Sequence, residues 1–220
     1  MTKNIVALFA HPDDEAFGPG GTLAKLAKEN NVYLLCATKG DAGNHHGKKV
    51  GQKTHNIRAQ EIKNSAKILG VKQVYFLGFK DGKMCNFRYH QIAEKAKKYL
   101  EKIKPEIVVT FEPRGVSGHI DHITITYVTL YLSERLPFIK EVWMYCAHHK
   151  LSSALHKNYF VYMPPGYKES EVDKVVDIRD VWEQKVQAIH QHQSQKEDIE
   201  TILGHLKKLP KLEYFLVYKY

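Results

Sequence analysis

Two short segments carry side chains whose types and spacing could bind a metal ion. The first is His11-Pro12-Asp13-Asp14-Glu15 and the second is His119-Ile120-Asp121-His122. His11 and Asp14 lie three residues apart, a spacing that places both side chains on one face of a helical turn. The histidines of the second segment repeat that spacing. Two imidazoles with one carboxylate leave coordination positions open, as in hydrolytic zinc sites and in non-haem iron(II) sites.

A carboxylate in addition to the ligands favours hydrolysis as the chemistry of such a site. Asp13 adjoins the candidate ligand Asp14 and could take a proton from water activated by the metal. A histidine near the metal could protonate the leaving group. The spacing does not decide which histidine of the second segment is the ligand. An alternative interpretation, that these residues cap helices, explains either segment alone better than it explains both together.

Each segment follows an apolar run that is typical of a buried strand, at residues 5–9 and at residues 107–111. Active sites of α/β sheets lie at the carboxyl ends of such strands, so the two segments are expected to converge at one edge. Further strands are predicted at 32–38, 73–77 and 141–147, with an apolar segment at 159–163. Helices are predicted at 22–28, 57–69, 89–103, from 122 to about 135, and 179–192. Strands that alternate with helices indicate an α/β fold with a mostly parallel sheet.

The chain has 220 residues and a formal charge of +9, a length that suits one domain. Its lysines are scattered over predicted helices, and no nucleic-acid-binding motif accompanies them, so no specific nucleic-acid partner is expected. Cys36, Cys85 and Cys146 lack metal-type spacing and indicate a reducing compartment. Neither a membrane-span-length apolar stretch nor a signal-peptide pattern occurs, so we expect a cytoplasmic protein. The loop at 39–54 is too long for a plain connector and is predicted to cover a site.

The two motifs, H-P-D-D-E at 11–15 and H-x-D-H at 119–122, resemble those of the PIG-L or LmbE-like family of zinc-dependent N-acetylglucosamine deacetylases. The resemblance continues through Gly20-Gly21-Thr22, through residues 38–43, and through an R-x-x-E pattern from Arg58 to Glu61. A late H-x-S-Q pattern, from His192 to Gln195, extends it over nearly the whole chain.

This resemblance implies a role for each matching residue. His11, Asp14 and His122 are expected to bind zinc, Asp13 to be the general base, and His119 to be the acid or the oxyanion stabiliser. Asp121 is expected to orient His119. Arg58 and His192 match positions expected to bind substrate, although a histidine at a helix end is more often a packing or capping residue. For Arg58 the alternative is a pair with Glu61 on an exposed helix face.

We therefore predict a Rossmann-like single domain over residues 1–220 that removes the N-acetyl group from an N-acetylglucosamine-containing small glycoside, releasing acetate and a free amino sugar. Iron(II) is the alternative metal, and assembly into a homo-oligomer is compatible with the sequence. Two other classes fit some of the same features. An iron(II) oxygenase would use the same triad but leaves Asp13 unexplained. A non-enzymatic binder of anionic polymers would use the positive charge and lose affinity steeply with salt.

Overall fold

The computed structural model describes residues 2–42, 52–156 and 162–220, and of residues 52–54 it describes the backbone alone. Within these ranges seven strands form one sheet. They are β1 (Asn4–Phe9), β2 (Asn31–Cys36), β3 (Gln73–Phe76), β4 (Ile107–Phe111), β5 (Glu141–Cys146), β6 (Lys174–Asp177) and β7 (Leu212–Lys219). Their order across the sheet is β3-β2-β1-β4-β5-β7-β6.

Strands β1 to β5 are parallel, so the predicted α/β class and mostly parallel sheet are confirmed. Strands β7 and β6 extend the sheet beyond β5 in antiparallel orientation, an edge that the sequence did not predict. The strand order reverses between β1 and β4, which are neighbours although β2 and β3 separate them in the chain. In open α/β sheets such a reversal opens a crevice at the carboxyl ends of the two strands.

Helices cover both faces of the sheet. They are α1 (Asp14–Phe17), α2 (Gly20–Ala27), α3 (Gln52–Ile68), α4 (Tyr89–Ile103), α5 (Gly115–Gly118), α6 (Ile120–Ser133), α7 (His149–Leu155), α8 (Trp182–Ile189) and α9 (Lys196–Leu206). Short 3-10 turns occupy Asn86–Arg88, Glu169–Glu171, Arg179–Val181 and Gln193–Gln195. Helices α4 and α6 pack on one face, and α2 and α3 pack on the other with α8 against them. Among the described residues, no helix combines the length and apolar content that a membrane crossing requires.

Burial on both faces explains why β1 is apolar throughout. Val6 and Leu8 pack beneath α4 and α6, whereas Ile5, Ala7 and Phe9 pack beneath α2 and α3. Successive side chains of a strand point to opposite faces, so a strand covered on both sides needs an apolar residue at every position. This buried strand ends at Phe9, two residues before His11.

Two predicted segments differ from the structure. The helix predicted at 179–192 is a 3-10 turn followed by α8, which ends at Ile189, and α9 follows as a separate helix. No glycine or proline marks the break between α8 and α9, so the sequence contains no local signal that the helix ends there. Helix α3 begins at Gln52, which makes the end of the predicted loop at 39–54 helical. Residues 43–51 of that loop and 159–161 of the predicted apolar segment lie outside the described residues.

Candidate metal centre

A cleft of about 810 Å³ opens at the carboxyl ends of β1 and β4. The segments singled out in the sequence meet there, because β1 and β4 pair in parallel with Ile5 opposite Ile107. Most of the predicted site residues line it: His11, Asp13, Asp14, Arg58, His119 and His122. Leu151 and Leu155 of α7, Met163, and Ile202 of α9 give the cleft an apolar outer wall.

His11, Asp14 and His122 each direct one ligand-type atom to a common point, with all three atoms within 4.8 Å of one another. His122 Nε2 lies 3.1 Å from His11 Nδ1 and 3.3 Å from Asp14 Oδ1. The other oxygen of Asp14 accepts the backbone N–H groups of Ala10 and His11. That oxygen is therefore fixed by the chain that leaves β1, and it lies 3.8 Å from His11 Nδ1, while Oδ1 faces His122.

Hydrogen bonds set which nitrogen of each imidazole can bind a cation. His11 Nε2 lies 3.0 Å from Asp81 Oδ1 and 3.2 Å from Asp121 Oδ2, and His122 Nδ1 lies 3.0 Å from Gly115 O. Carboxylate and carbonyl oxygens only accept, so these nitrogens carry the protons. The lone pairs of His11 Nδ1 and His122 Nε2 then face each other and Asp14. Such an arrangement is repulsive without a positive charge between the donors, and it fits a divalent cation.

The backbone turn that hydrogen-bonds to His122 through Gly115 O is held in place by Glu112, which is buried just after β4. Its carboxylate accepts the N–H groups of Arg114 and Val116, each at 2.9 Å. Val116 has φ 63°, a conformation that a β-branched residue rarely adopts, so this turn needs such support. The Gly115 carbonyl is thereby presented to His122.

The electrostatic field at this point is negative. Burial alone would lower the pKa of His11, but the carboxylates of Asp121, Asp81 and Asp14 outweigh it and raise that pKa to about 10. Burial alone would raise the pKa of Asp14, but His122 and His11 keep it well below its ordinary value. Protons and metal cations compete for the same lone pairs, so a field that holds a proton also favours a cation.

A second group, His11, His119 and Asp121, also brings ligand-type atoms within 4.8 Å of one another. Two of its three ligand-type side chains already accept hydrogen bonds from backbone N–H groups. Asp121 accepts the N–H groups of Gly82 at 2.7 Å and Met84 at 3.0 Å, and His119 Nδ1 accepts the Asp121 N–H at 3.1 Å. The geometry therefore favours the first group as the candidate metal site, with His119 beside it.

The expected contact between the Asp121 carboxylate and His119 is replaced by another. The carboxylate points to His11 and to the loop after β3, and only the backbone N–H of Asp121 reaches His119. His119 precedes α6 as its N-cap, and this local hydrogen bond explains the orientation of its ring. Burial, together with the charges of His122 and His11, lowers the pKa of His119. When the His119 imidazole is neutral, its proton is on Nε2, because Nδ1 accepts the backbone N–H of Asp121.

Asp13 lies beside the metal site in an unusual backbone conformation, with φ 125° and ψ −29°. Such a conformation costs a non-glycine residue on the order of 1–3 kcal/mol and requires support from its surroundings. Burial raises the pKa of Asp13 to about 7, with the charge of Asp14 acting in the same direction and Arg58 opposing them. A carboxylate with this pKa suits proton transfer near neutral pH.

Arg58, predicted to bind the sugar, contacts Asp13. It is 3% exposed, and its guanidinium donates to Asp13 Oδ2 at 2.9 Å, Pro12 O at 2.7 Å and Gly40 O at 3.1 Å. The alternative pair with Glu61 does not form, because Glu61 accepts from the backbone and hydroxyl of Ser194. Arg58 still borders the cleft, but its contacts make it a support for the predicted base.

His192, the other residue predicted to bind substrate, is buried behind the cleft. Its exposed fraction is 0%, and its Nε2 lies 2.8 Å from Glu15 Oε1. The chain leaves α8 before this residue, which turns the imidazole inward toward α1. His192 therefore does not line the cleft, and no contact in the structure supports its predicted role in binding substrate. Ser194 and Gln195 from the same motif do line the cleft.

Asp81 is a site residue that was not predicted; it is buried and bridges two parts of the site. One oxygen is 3.0 Å from His11 Nε2, and the other accepts the N–H of Ala42 at 3.2 Å and lies 3.8 Å from Arg58 Nη1. The residue follows β3, whose carboxyl end lies at the same edge of the sheet as those of β1 and β4. An acidic residue after a third parallel strand was the signal that could have revealed it.

Comparison with known proteins identifies the family. Residues 6–132 match the PIG-L family, described as GlcNAc-PI de-N-acetylase. The chain belongs to the PIG-L family. This membership makes it an amide-hydrolysing N-deacetylase, as predicted, and the relatives give no support to an iron(II) oxygenase or a polymer-binding protein.

Named relatives match along most of this PIG-L family member. A probable N-acetyl-alpha-D-glucosaminyl L-malate deacetylase 2 from Bacillus cereus is 28% identical over 90% of this chain and 86% of its own length. A diacetylchitobiose deacetylase from Thermococcus kodakarensis is 30% identical over 88% of this chain and 70% of its own. The solved N,N'-diacetylchitobiose deacetylase from Pyrococcus horikoshii has the same fold, with a TM-score of 0.77, 23% identity, and coverage of 99% and 84%.

Proposed function

We propose that this PIG-L protein is a zinc-dependent hydrolase that removes the N-acetyl group from an N-acetylglucosamine-containing glycoside. One observation carries the proposal: two imidazole lone pairs and a carboxylate oxygen converge beside Asp13 at the floor of an open cleft. The names of the relatives, which specify a glucosaminyl malate and diacetylchitobiose, support the substrate class.

His11, Asp14 and His122 are the residues that would hold the metal. Nitrogen and carboxylate ligands with open positions suit zinc. When bound there, a divalent cation polarises the amide carbonyl and makes water more acidic. Asp81 and Asp121 hold the His11 ring in the required orientation through its Nε2–H.

Asp13 is the general base in this proposal. Its carboxylate takes a proton from the attacking water as the water oxygen bonds to the acetyl carbon. Arg58 keeps the carboxylate aimed and favours its ionised form. When the C–N bond breaks, the same proton can pass from Asp13 to the departing amine, which gives acetate and a free amino sugar.

For His119, the proposal selects oxyanion stabilisation from the two roles predicted. A general acid would start as the imidazolium, with a proton on Nδ1, yet Nδ1 accepts the Asp121 N–H. The neutral ring instead presents Nε2–H at the cleft, where it can donate to the oxygen that becomes negative during attack. No proton needs to leave His119 in this role.

Release of acetate from N-acetylglucosaminides tests the proposal. The protein loaded with zinc should release one acetate for each free amine formed, and a chelator should abolish the reaction until zinc is restored. Variants His11→Ala, Asp14→Ala and His122→Ala should each lose most bound zinc by elemental analysis while remaining folded. Full zinc occupancy in all three variants contradicts the ligand set, and acetate release that resists chelation contradicts the metal dependence.

A further inference from the structure

Helix α3 presents a buried polar face to the candidate active site. Arg58, Glu61 and Ser65 follow the i, i+3, i+7 spacing of one helix face, and their exposed fractions are 3%, 8% and 0%. Arg58 contacts Asp13, Glu61 contacts Ser194, and Ser65 contacts Glu15. Buried polar groups cost free energy unless they are paired, so each of these contacts is needed where it lies.

The contact of Ser65 belongs to a small buried cluster around Glu15. Oε1 of Glu15 lies 2.6 Å from Ser65 Oγ and 2.8 Å from His192 Nε2, while Oε2 accepts the Asp13 N–H at 3.1 Å. Glu15, Ser65 and His192 are all 0% exposed. None of the three lines the cleft, so none of them touches a substrate there.

The Glu15 cluster acts on the peptide unit between Pro12 and Asp13. Arg58 donates to the carbonyl oxygen of this unit, and Glu15 accepts from its N–H. The unit is therefore held at both polar ends. This matters because Asp13, at φ 125°, is in the left-handed half of backbone space, which L residues rarely adopt. If the peptide turned, the Asp13 carboxylate would turn with it.

We propose that Ser65 and His192 are positioning residues that act through Glu15 to aim the Asp13 carboxylate at the attacking water. Ser65 supplies a hydroxyl from α3, and His192 supplies Nε2 from the chain between α8 and α9. Together they fix Glu15 Oε1, which leaves Oε2 directed at the Asp13 N–H. The inference rests on the proposed function in that Asp13 is taken as the general base.

Ser65→Ala is the mildest test because it removes one oxygen atom. Per folded, metal-loaded protein, kcat should fall about tenfold while KM and zinc content stay unchanged, since only the aim of the base is affected. Ser133→Ala is the matched control. Ser133 is equally buried on α6 and its hydroxyl donates to Thr129 O, far from the cleft, so this variant should keep its kcat.

Two His192 variants separate positioning from packing. His192→Gln retains an N–H donor at a similar reach and should keep most of the wild-type kcat, whereas His192→Leu fills the space without a donor and should lose about tenfold or more. Equal kcat values for the two variants would contradict the proposal. Thermal unfolding of each variant identifies the folded fraction. If His192→Leu does not fold, the comparison of Ser65→Ala with Ser133→Ala tests the proposal.

A double-mutant cycle with Asp13→Asn gives the decisive measurement. If Ser65 acts through Asp13, Ser65→Ala should have little further effect on the residual kcat of Asp13→Asn. An equal loss in both backgrounds, or no loss in the wild-type background, overturns the inference. Normal activity of Asp13→Asn alone would instead overturn the proposed function, so the two failures are distinguishable.

Discussion

His119 shows how a backbone hydrogen bond can choose between two catalytic roles. Its Nδ1 accepts the Asp121 N–H at the start of α6, so the ring meets the cleft with Nε2–H. The H-x-D-H motif predicts a histidine near the candidate metal site, but it does not predict which ring nitrogen accepts the Asp121 N–H. The bond arises from the cap geometry of α6, which depends on how the turn after β4 is folded.

A pair of variants at His119 tests the role. His119→Ala should lower kcat by about 10²-fold, as expected when one oxyanion donor is removed. His119→Gln should recover part of that loss, because an amide N–H can donate to an oxyanion but cannot serve as a general acid. Zinc content should be normal in both. Equally poor activity of the two variants would instead favour the general-acid role.

Arg58 should control the acidic limb of the pH profile through Asp13. The base must be ionised, so kcat/KM should rise as the pH increases through the pKa of Asp13. Arg58 lowers that pKa. Arg58→Gln should therefore raise it and move the acidic limb to higher pH by about one unit or more, whereas Arg58→Lys keeps the charge and should move it less. A limb that moves to lower pH in Arg58→Gln would be inconsistent with Asp13 as the base.

At the scale of secondary-structure elements, the strands that carry the site could be predicted and their supports could not. Continuous apolar runs identified β1 and β4, and their parallel pairing brings His11 and His122 together. Ser65 and Glu213 contribute through contacts between elements that are far apart in the chain. Local patterns contain no information on such contacts.

Helix α2 depends on such a distant contact. Glu213 of β7 accepts the N–H groups of Gly21 at 2.9 Å and Thr22 at 2.7 Å, and it pairs with the buried Lys185 of α8 at 2.6 Å. Lys185 also donates to Gly18 O. This one carboxylate thus ties the start of α2 to both α8 and the antiparallel edge of the sheet.

Breaking this buried pair on one side should be costly. Lys185→Met leaves the Glu213 charge without its cation, and we expect the free energy of unfolding to fall by about 3–5 kcal/mol. The double variant Lys185→Met/Glu213→Gln should be more stable than Lys185→Met alone, because the buried charge is gone. Urea unfolding measures both. A double variant less stable than the single one would show that Glu213 matters mainly through its N–H contacts.

At the scale of the whole molecule, the α/β class and the mostly parallel sheet were correctly predicted from alternating strands and helices. The last part of the chain was predicted less well: β6, α9 and β7 were not predicted, and no glycine or proline marks the end of α8. Cytoplasmic location and assembly into a homo-oligomer stay predictions. The candidate metal centre joins the chain after β1 to the first turn of α6, so metal binding should stabilise the whole fold.

Thermal unfolding should report this stabilisation. A ligand at 1,000 times its Kd adds about 4 kcal/mol to the stability of a fold that binds it only in the native state. Removal of zinc with a chelator should therefore lower the Tm of the wild-type protein. Readdition of zinc should restore it. His11→Ala should show no Tm response to either treatment. A wild-type Tm that changes with neither chelation nor readdition of zinc would mean that the centre does not bind zinc.

The bond between Thr22 and Glu213 also has a consequence for biosynthesis. The two residues are separated by 191 positions. At synthesis rates of about 5–20 residues per second, the ribosome makes the acceptor roughly 10 to 40 s after the donor. During that interval the start of α2 emerges without its carboxylate, and the segment that follows β1 lacks one of its anchors. Folding of the segment that follows β1 should therefore be completed only after β7 has been synthesised.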